Sequence, residues 1–129
     1  MACRRVLVVD DLLDAAESLA RLLNVLGHEA QYVTDPLQAL EVAKRMQPDL
    51  VFLDIGMPQL DGYTLARMLR AQFGFEGLRL VALTAWGRNE DRIASRQAGF
   101  DAHVLKPADP SMLESIVRTV CGDELPPME

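Results

Sequence analysis

Four short apolar runs in this chain each deliver a reactive side chain at their carboxyl end. Arg5-Val6-Leu7-Val8-Val9 leads into Asp10-Asp11, Leu50-Val51-Phe52-Leu53 into Asp54, Leu80-Val81-Ala82-Leu83 into Thr84, and Ala102-His103-Val104-Leu105 into Lys106. Gathered in one place, three carboxylates and one ammonium keep a negative excess that repels itself unless a cation binds. Hard oxygen donors with room for water and phosphate suit Mg2+ better than Zn2+. Such a pocket is equipped for phosphoryl transfer to a carboxylate. Asp54 is then the nucleophile, Asp10 and Asp11 hold the metal, Lys106 pairs with the phosphoryl group, and Thr84 donates one hydrogen bond to it. Taken alone, Asp54 is as readily a turn former or a helix cap.

The elements that must position these groups follow from periodicity. Continuous apolar runs bounded by breakers read as strands buried on both faces, as in the middle of a parallel sheet. Glu29 to Val33 mixes polar and apolar residues, and Ala102 to Leu105 is short, so both read as edge strands. Helical spacing marks about Asp14 to Leu26, with Asp14 and Glu17 resembling a capping pair and Gly27 as the stop. Asp35-Pro36 opens a second helix ending at Gln47-Pro48, about Tyr63 to Ala71 forms a third, and Phe73 to Gly77 reads as the loop that follows it. About Asn89 to Ala98 is a fourth helix with so thin an apolar stripe that it is weakly held. Asp109-Pro110 opens the last, inward-facing at Leu113, Ile116, Val117 and Val120. The alternation βαβαβαβαβα predicts an α/β fold with helices on both faces of a parallel sheet. With the second and fifth strands at the edges, the strand order is the flavodoxin-like 2-1-3-4-5, which collects the four strand ends at one rim.

The length of 129 residues suits one domain, expected over 1–122, with 123–129 as a flexible C-terminal tail. A net charge of -6 disfavours direct binding to nucleic acid. No run approaches the ~20 apolar residues of a spanning helix, and the start is too short in apolar residues for a signal peptide, so no membrane insertion and a cytoplasmic location are expected. Cys3 and Cys121 have no metal or redox spacing. His28 reads as a turn residue, and Met57, Met68 and Met112 as packing.

Five pieces in order, Val8-Val9-Asp10-Asp11, Asp54-Ile55-Gly56-Met57-Pro58 with Asp61-Gly62, Leu83-Thr84-Ala85, Ala98-Gly99-Phe100-Asp101-Ala102 and Lys106-Pro107, make the chain from about Arg5 to Val120 resemble the CheY-like receiver domains of two-component response regulators. The resemblance implies transfer from a histidine kinase's phosphohistidine, or from a phosphotransfer domain, onto Asp54. Mg2+ is then held by Asp11, Asp54 and the Gly56 backbone carbonyl, helped by Asp10. It also implies slow self-catalysed loss of the phosphate, no enzymatic turnover of any other substrate, and a cis Lys106-Pro107 bond. Leu12 stands where the family often has Asn. His103 fills the place of a switching aromatic that works with Thr84, and reads either as that switch or as a plain edge-strand histidine. Gly56 and Trp86 occupy positions that in the family tune phosphate lifetime, Trp86 as a shield or as a partner-facing aromatic.

The chain is expected to be free-standing or the receiver part of a hybrid kinase, with no output domain after the last helix and a downstream protein reached by contact. Two other readings remain. A flavodoxin-like ligand-binding module would want a Gly- or Ser/Thr-rich phosphate cradle after the first strand, where Asp10 and Asp11 repel phosphate instead. A degenerate receiver that only docks partners has no need of the intact Asp10, Asp11, Asp54, Thr84 and Lys106 set.

Overall fold

A computed structural model describes residues 5–57, 61–74, 78–84, 89–106 and 109–121, with 89–92, 95, 120 and 121 described by their backbone. The elements run β1 (Arg5–Val9), α1 (Leu13–Val25), β2 (Glu29–Val33), a 3-10 turn (Pro36–Gln38), α2 (Ala39–Met46), β3 (Leu50–Asp54), α3 (Gly62–Phe73), β4 (Arg79–Thr84), α4 (Asn89–Ala98), β5 (Ala102–Leu105) and α5 (Pro110–Cys121). The strands form one sheet in the order β2-β1-β3-β4-β5. Every pairing is parallel, which puts all the strand carboxyl ends at one rim.

Alternation along each strand divides the core in two. Leu7, Val9, Val51, Leu53, Leu80 and Ala82 pack toward α2, α3 and the end of α4, against Ala43, Leu65, Leu69 and Ala98. Val6, Val8, Leu50, Phe52, Val81, Leu83 and Val104 pack on the other face toward α1 and α5, against Ala16, Leu23, Leu113 and Val117. A strand covered on both sides has no position left for a polar residue until it ends. That is why the runs expected to be central are unbroken, and why β2, at the edge, exposes Glu29, Gln31 and Tyr32.

Local signals hold in part. Gly27 leaves α1 with φ +102, a conformation that costs glycine no Cβ clash. Asp61 caps α3 through Oδ1, which accepts the N–H groups of Tyr63 and Thr64 at 2.8 and 3.0 Å. Asp109 caps α5 by accepting the Met112 N–H at 2.8 Å. The Asp14–Glu17 capping pair does not form. The N-cap of α1 is Leu12, and its N–H is taken by Asp10 Oδ1 at 3.1 Å. Asp14 therefore sits inside the first turn, where a negative charge still suits the helix dipole, and Glu17 faces Arg21 instead. Asp35 accepts the Leu37 N–H at 3.0 Å, but a 3-10 turn intervenes before α2 begins at Ala39. Helix α3 runs on to Phe73, two residues beyond its expected end, because the turn waits for Gly74 at φ +76. Met57 is buried as expected, whereas Met68 and Met112 stay substantially exposed. The expected tail and the Lys106-Pro107 bond involve residues outside those described.

Helix α3 comes close enough to β3 that only glycine fits at its first position. A Cβ on Gly62 would lie 2.6 Å from Ile55 Cα and 2.7 Å from the Asp54 carbonyl oxygen. Both obstacles are backbone, so neither can rotate away. Gly62→Ala should therefore lower the unfolding free energy by about 2 kcal/mol, read as a lower urea midpoint at unchanged m value. A midpoint within error of the wild type would contradict this close approach.

Candidate functional site

The carboxyl rim of the sheet places the chemistry-bearing residues by strand position. Asp10 follows β1, its N–H still bonded to the Val33 carbonyl at 3.2 Å. Asp54 is the last residue of β3 and Thr84 the last of β4. Lys106 follows β5, and its N–H donates to the Thr84 carbonyl at 2.9 Å. Asp10 is 1% exposed, Asp54 7% and Thr84 3%, whereas Asp11 is half-buried at the mouth.

Asp10, Asp11 and Asp54 each bring a carboxylate oxygen to within 4.8 Å of the others. Lys106 Nζ lies 2.9 Å from Asp10 Oδ2 and 3.4 Å from Asp54 Oδ2. The amine is thus held mainly by Asp10 and leans toward Asp54. The Gly56 N–H donates to Asp54 Oδ1 at 2.9 Å, so the two oxygens of Asp54 have different partners and the carboxylate is fixed in rotation. A Cβ on Gly56 would meet Asp54 Oδ1 at an ordinary 3.6 Å, and the residue is exposed, so glycine leaves that flank of the carboxylate open.

Among the described residues, three carboxylates at the rim face one ammonium. Burial raises the pKa of the Asp54 carboxyl; the Gly56 N–H pulls it down, the neighbouring Asp10 charge pushes it up, Lys106 pulls it down, and the net direction is up. For Lys106, burial alone would lower the pKa, but its hydrogen bond to Asp10 and the charges of Asp10 and Asp54 outweigh burial and raise it. The ammonium is secure while the carboxylate is under strain. An all-oxygen donor set with a negative excess fits a small divalent cation.

A cavity of about 220 Å3, lined by Asp10, Ala15, Ser18, Leu19, Leu22, Leu83 and Lys106, opens beside the ion pair. The larger cleft, about 620 Å3 between α1 and β2, contains none of these site residues. Thr84 and His103 lie on the sheet face opposite Leu83 and Val104, the face that α4 covers. His103 is partly buried there, opposite Ala82 in the ladder. Trp86 is outside the described residues. Leu12, exposed at the start of α1, brings no polar group to the rim.

A family model for the response regulator receiver domain matches residues 6–118. The chain belongs to the response regulator receiver family. The receiver is 39% identical over 115 residues to the response regulator Rre1 of Synechocystis, covering 88% of this chain and 50% of that protein. It spans about half the length of most curated relatives it matches. Among solved structures it resembles the receiver domain of a sensor histidine kinase from Pseudomonas aeruginosa at TM-score 0.83 and 31% identity, covering 95% of this chain and 100% of that one. That neighbour was solved with a magnesium ion coordinated in its active-site cleft. The chemotaxis protein CheY4 of Vibrio cholerae shares the receiver's fold at TM-score 0.86 and 24% identity, covering 92% of this chain and 99% of that one.

Sequence reasoning passed over one buried charge. Arg70, 7% exposed, pairs with Asp101 at 2.8 Å near the opposite rim. Its signal was positional: it falls four residues after Ala66 on the inward face of α3, where a cation needs a partner.

The raised pKa of Asp54 carries a stability consequence whose sign is fixed. A carboxyl whose folded pKa lies above its unfolded value stabilises the fold only below the unfolded pKa, and that contribution is lost as pH rises through the folded value. Asp54→Asn should accordingly be more stable than the wild type at pH 7 without divalent metal, by about 1 kcal/mol. The gap should close as pH falls to the bottom of the ordinary carboxylate range, where Asp54 is protonated in both states. Thermal unfolding of both proteins across pH checks this, and equal stability at pH 7 would contradict the charge imbalance.

Proposed function

We propose that this receiver accepts a phosphoryl group on Asp54 from the phosphohistidine of a histidine kinase or phosphotransfer domain, with Mg2+, and signals through the change that follows. The observation that carries the reading is Asp54 at the end of β3, 3.4 Å from Lys106 Nζ and within 4.8 Å of two further carboxylates. A Mg2+ ion held by Asp10, Asp11, Asp54 and the Gly56 carbonyl would neutralise charge on the phosphoryl oxygens.

The chain's own groups supply the rest. The Gly56 N–H and Lys106 hold the Asp54 carboxylate in one orientation, so an incoming phosphorus meets a fixed nucleophile. A bond forms between an Asp54 oxygen and phosphorus as the phosphorus–nitrogen bond breaks, and the electron pair stays on the imidazole. Lys106 then pairs with the phosphoryl oxygens. Water attacking the same phosphorus returns the Asp54 carboxylate and inorganic phosphate. Catalysis is limited to the receiver's own phosphorylation and dephosphorylation.

The new acyl phosphate carries more negative charge than the carboxylate and presents strong acceptor oxygens. Thr84, next to Leu83 whose ladder partner is Asp54, donates its hydroxyl toward them. His103 on the same sheet face, Trp86 and α4 are the groups that respond and meet the downstream protein. The net charge of -6 argues against direct contact with nucleic acid by this chain, and a cytoplasmic location matches a kinase-coupled role. Among the described residues no helix is long and apolar enough to cross a membrane.

Incubation with acetyl phosphate and Mg2+ should add the mass of one phosphoryl group to the intact protein. Asp54→Ala should take up none, and Lys106→Ala should be labelled at least roughly tenfold more slowly. A wild type that stays unmodified would overturn the proposal.

A further inference from the structure

Helix α4 is held firmly at its carboxyl end. It begins at Asn89, on the side of the site rim, and ends at Ala98 near the opposite rim. Of its described side chains, Ile93 is 58% exposed, Ala94 is half-buried and Arg96 and Gln97 are exposed, while Ala98 is 3% exposed. Phe100, just past the helix, is buried edge-on against Tyr63 of α3, with ring centroids 6.4 Å apart. Among the described side chains of α4, the most deeply buried one lies at its carboxyl end.

A polar clamp closes on the same end. Arg70 donates to the Gly99 carbonyl at 2.9 Å, to the Gly74 carbonyl at 2.9 Å and to the Leu78 carbonyl, and it pairs with Asp101 Oδ2 at 2.8 Å. The same Asp101 oxygen accepts the Leu80 N–H at 2.9 Å, and the Asp101 N–H returns to the Leu80 carbonyl at 2.7 Å. One guanidinium thus ties the end of α3, the start of β4 and the turn from α4 into β5. Gly99 sits at φ +104, and a Cβ there would lie 2.9 Å from Arg70 Cγ. The turn is moulded around the arginine stem. Only a planar group with five fixed donors can serve so many acceptors at once.

We propose that Arg70 is a positioning residue that pins the carboxyl end of α4 to the sheet, so that α4 answers phosphorylation of Asp54 as a lever pivoting at Gly99 rather than by shifting whole. This rests on the phosphoacceptor reading for its trigger, but the pin itself does not. Burial lowers the pKa of the guanidinium and Asp101 opposes that shift. The pin joins backbone to backbone through one side chain, so it resists translation of the turn while leaving the far end of α4 to move.

Amide hydrogen exchange read by mass spectrometry tests both parts, on full-length wild type, Arg70→Met and Asp101→Asn, each with and without acetyl phosphate and Mg2+. In the wild type, phosphorylation should change exchange over 89–93 and leave 97–101 protected. Arg70→Met keeps the apolar stem and lies far from the site, so intact-mass labelling of Asp54 should persist within about twofold, since groups at opposite rims act independently. Unphosphorylated Arg70→Met should exchange over 97–101 at least tenfold faster than the wild type. On phosphorylation its exchange change should spread through the whole helix, a readout that a purely stabilising role would not move.

Asp101→Asn keeps the bonds from Arg70 to the carbonyls and should give a smaller effect in the same segment, which serves if Arg70→Met does not fold. Unchanged protection of 97–101 in a folded variant overturns the pin. A wild-type response already spread evenly over 89–101 overturns the lever. A wild type that takes up no phosphoryl group overturns the proposed function and the lever with it, while the unphosphorylated comparison still decides the pin.

Discussion

Unbalanced negative charge at one rim of the sheet is the constraint around which this molecule is built. Asp10, Asp11 and Asp54 share that rim with Lys106, the one described cation there, which pairs with Asp10 and Asp54. Burial makes the imbalance matter, because at the surface water would screen it. Among the described residues the mouth is left open: Asp11 is half-buried and Gly56 carries no side chain. The site is thus most at ease when something of opposite charge arrives, and most disturbed when further negative charge is attached to Asp54.

The parallel sheet turns this into a directional device. With every strand running the same way, the reactive groups occupy one rim and the opposite rim is left to structural fastenings. Two charged clusters illustrate the division. At the site rim Lys106 faces more carboxylate than it can neutralise. At the other, Arg70 meets one carboxylate and three carbonyls, so its donors are well used and its burial is tolerable. An outnumbered cation serves a site that must change state, and one matched by its acceptors serves a joint that must not.

Alternation along the strands carries the effect sideways. Leu83 faces α1 and α5, so Thr84 one residue later turns toward the α4 face, and Val104 and His103 divide in the same way. A change at the end of β4 is therefore delivered to the face that α4 covers. Helix α4 contributes Ala98 to the core, whereas α3 buries Leu65, Ala66 and Leu69.

The central strands, their order and the set Asp10, Asp11, Asp54, Thr84 and Lys106 were legible in the sequence because each depends on a local pattern: an unbroken apolar run, a breaker, and a polar residue at the strand end. Helix starts were less legible. Asp10 accepts the N–H of Leu12, the residue before α1, while Asp14 caps nothing, since an acid placed for the rim also reaches the backbone two residues on, and no spacing rule ranks those two uses. Exposure of Met68 and Met112 depends on what lies opposite them, which periodicity does not reveal. Sequence alone determined which groups stand at the strand ends, because burial on two faces forces polarity to wait until a strand finishes. Only the tertiary structure decided which oxygen of Asp54 meets Lys106 and which meets Gly56, and that Arg70 closes on Gly99 and Asp101 from far along the chain. Those pairings are set by packing between distant segments, and packing has no local signature.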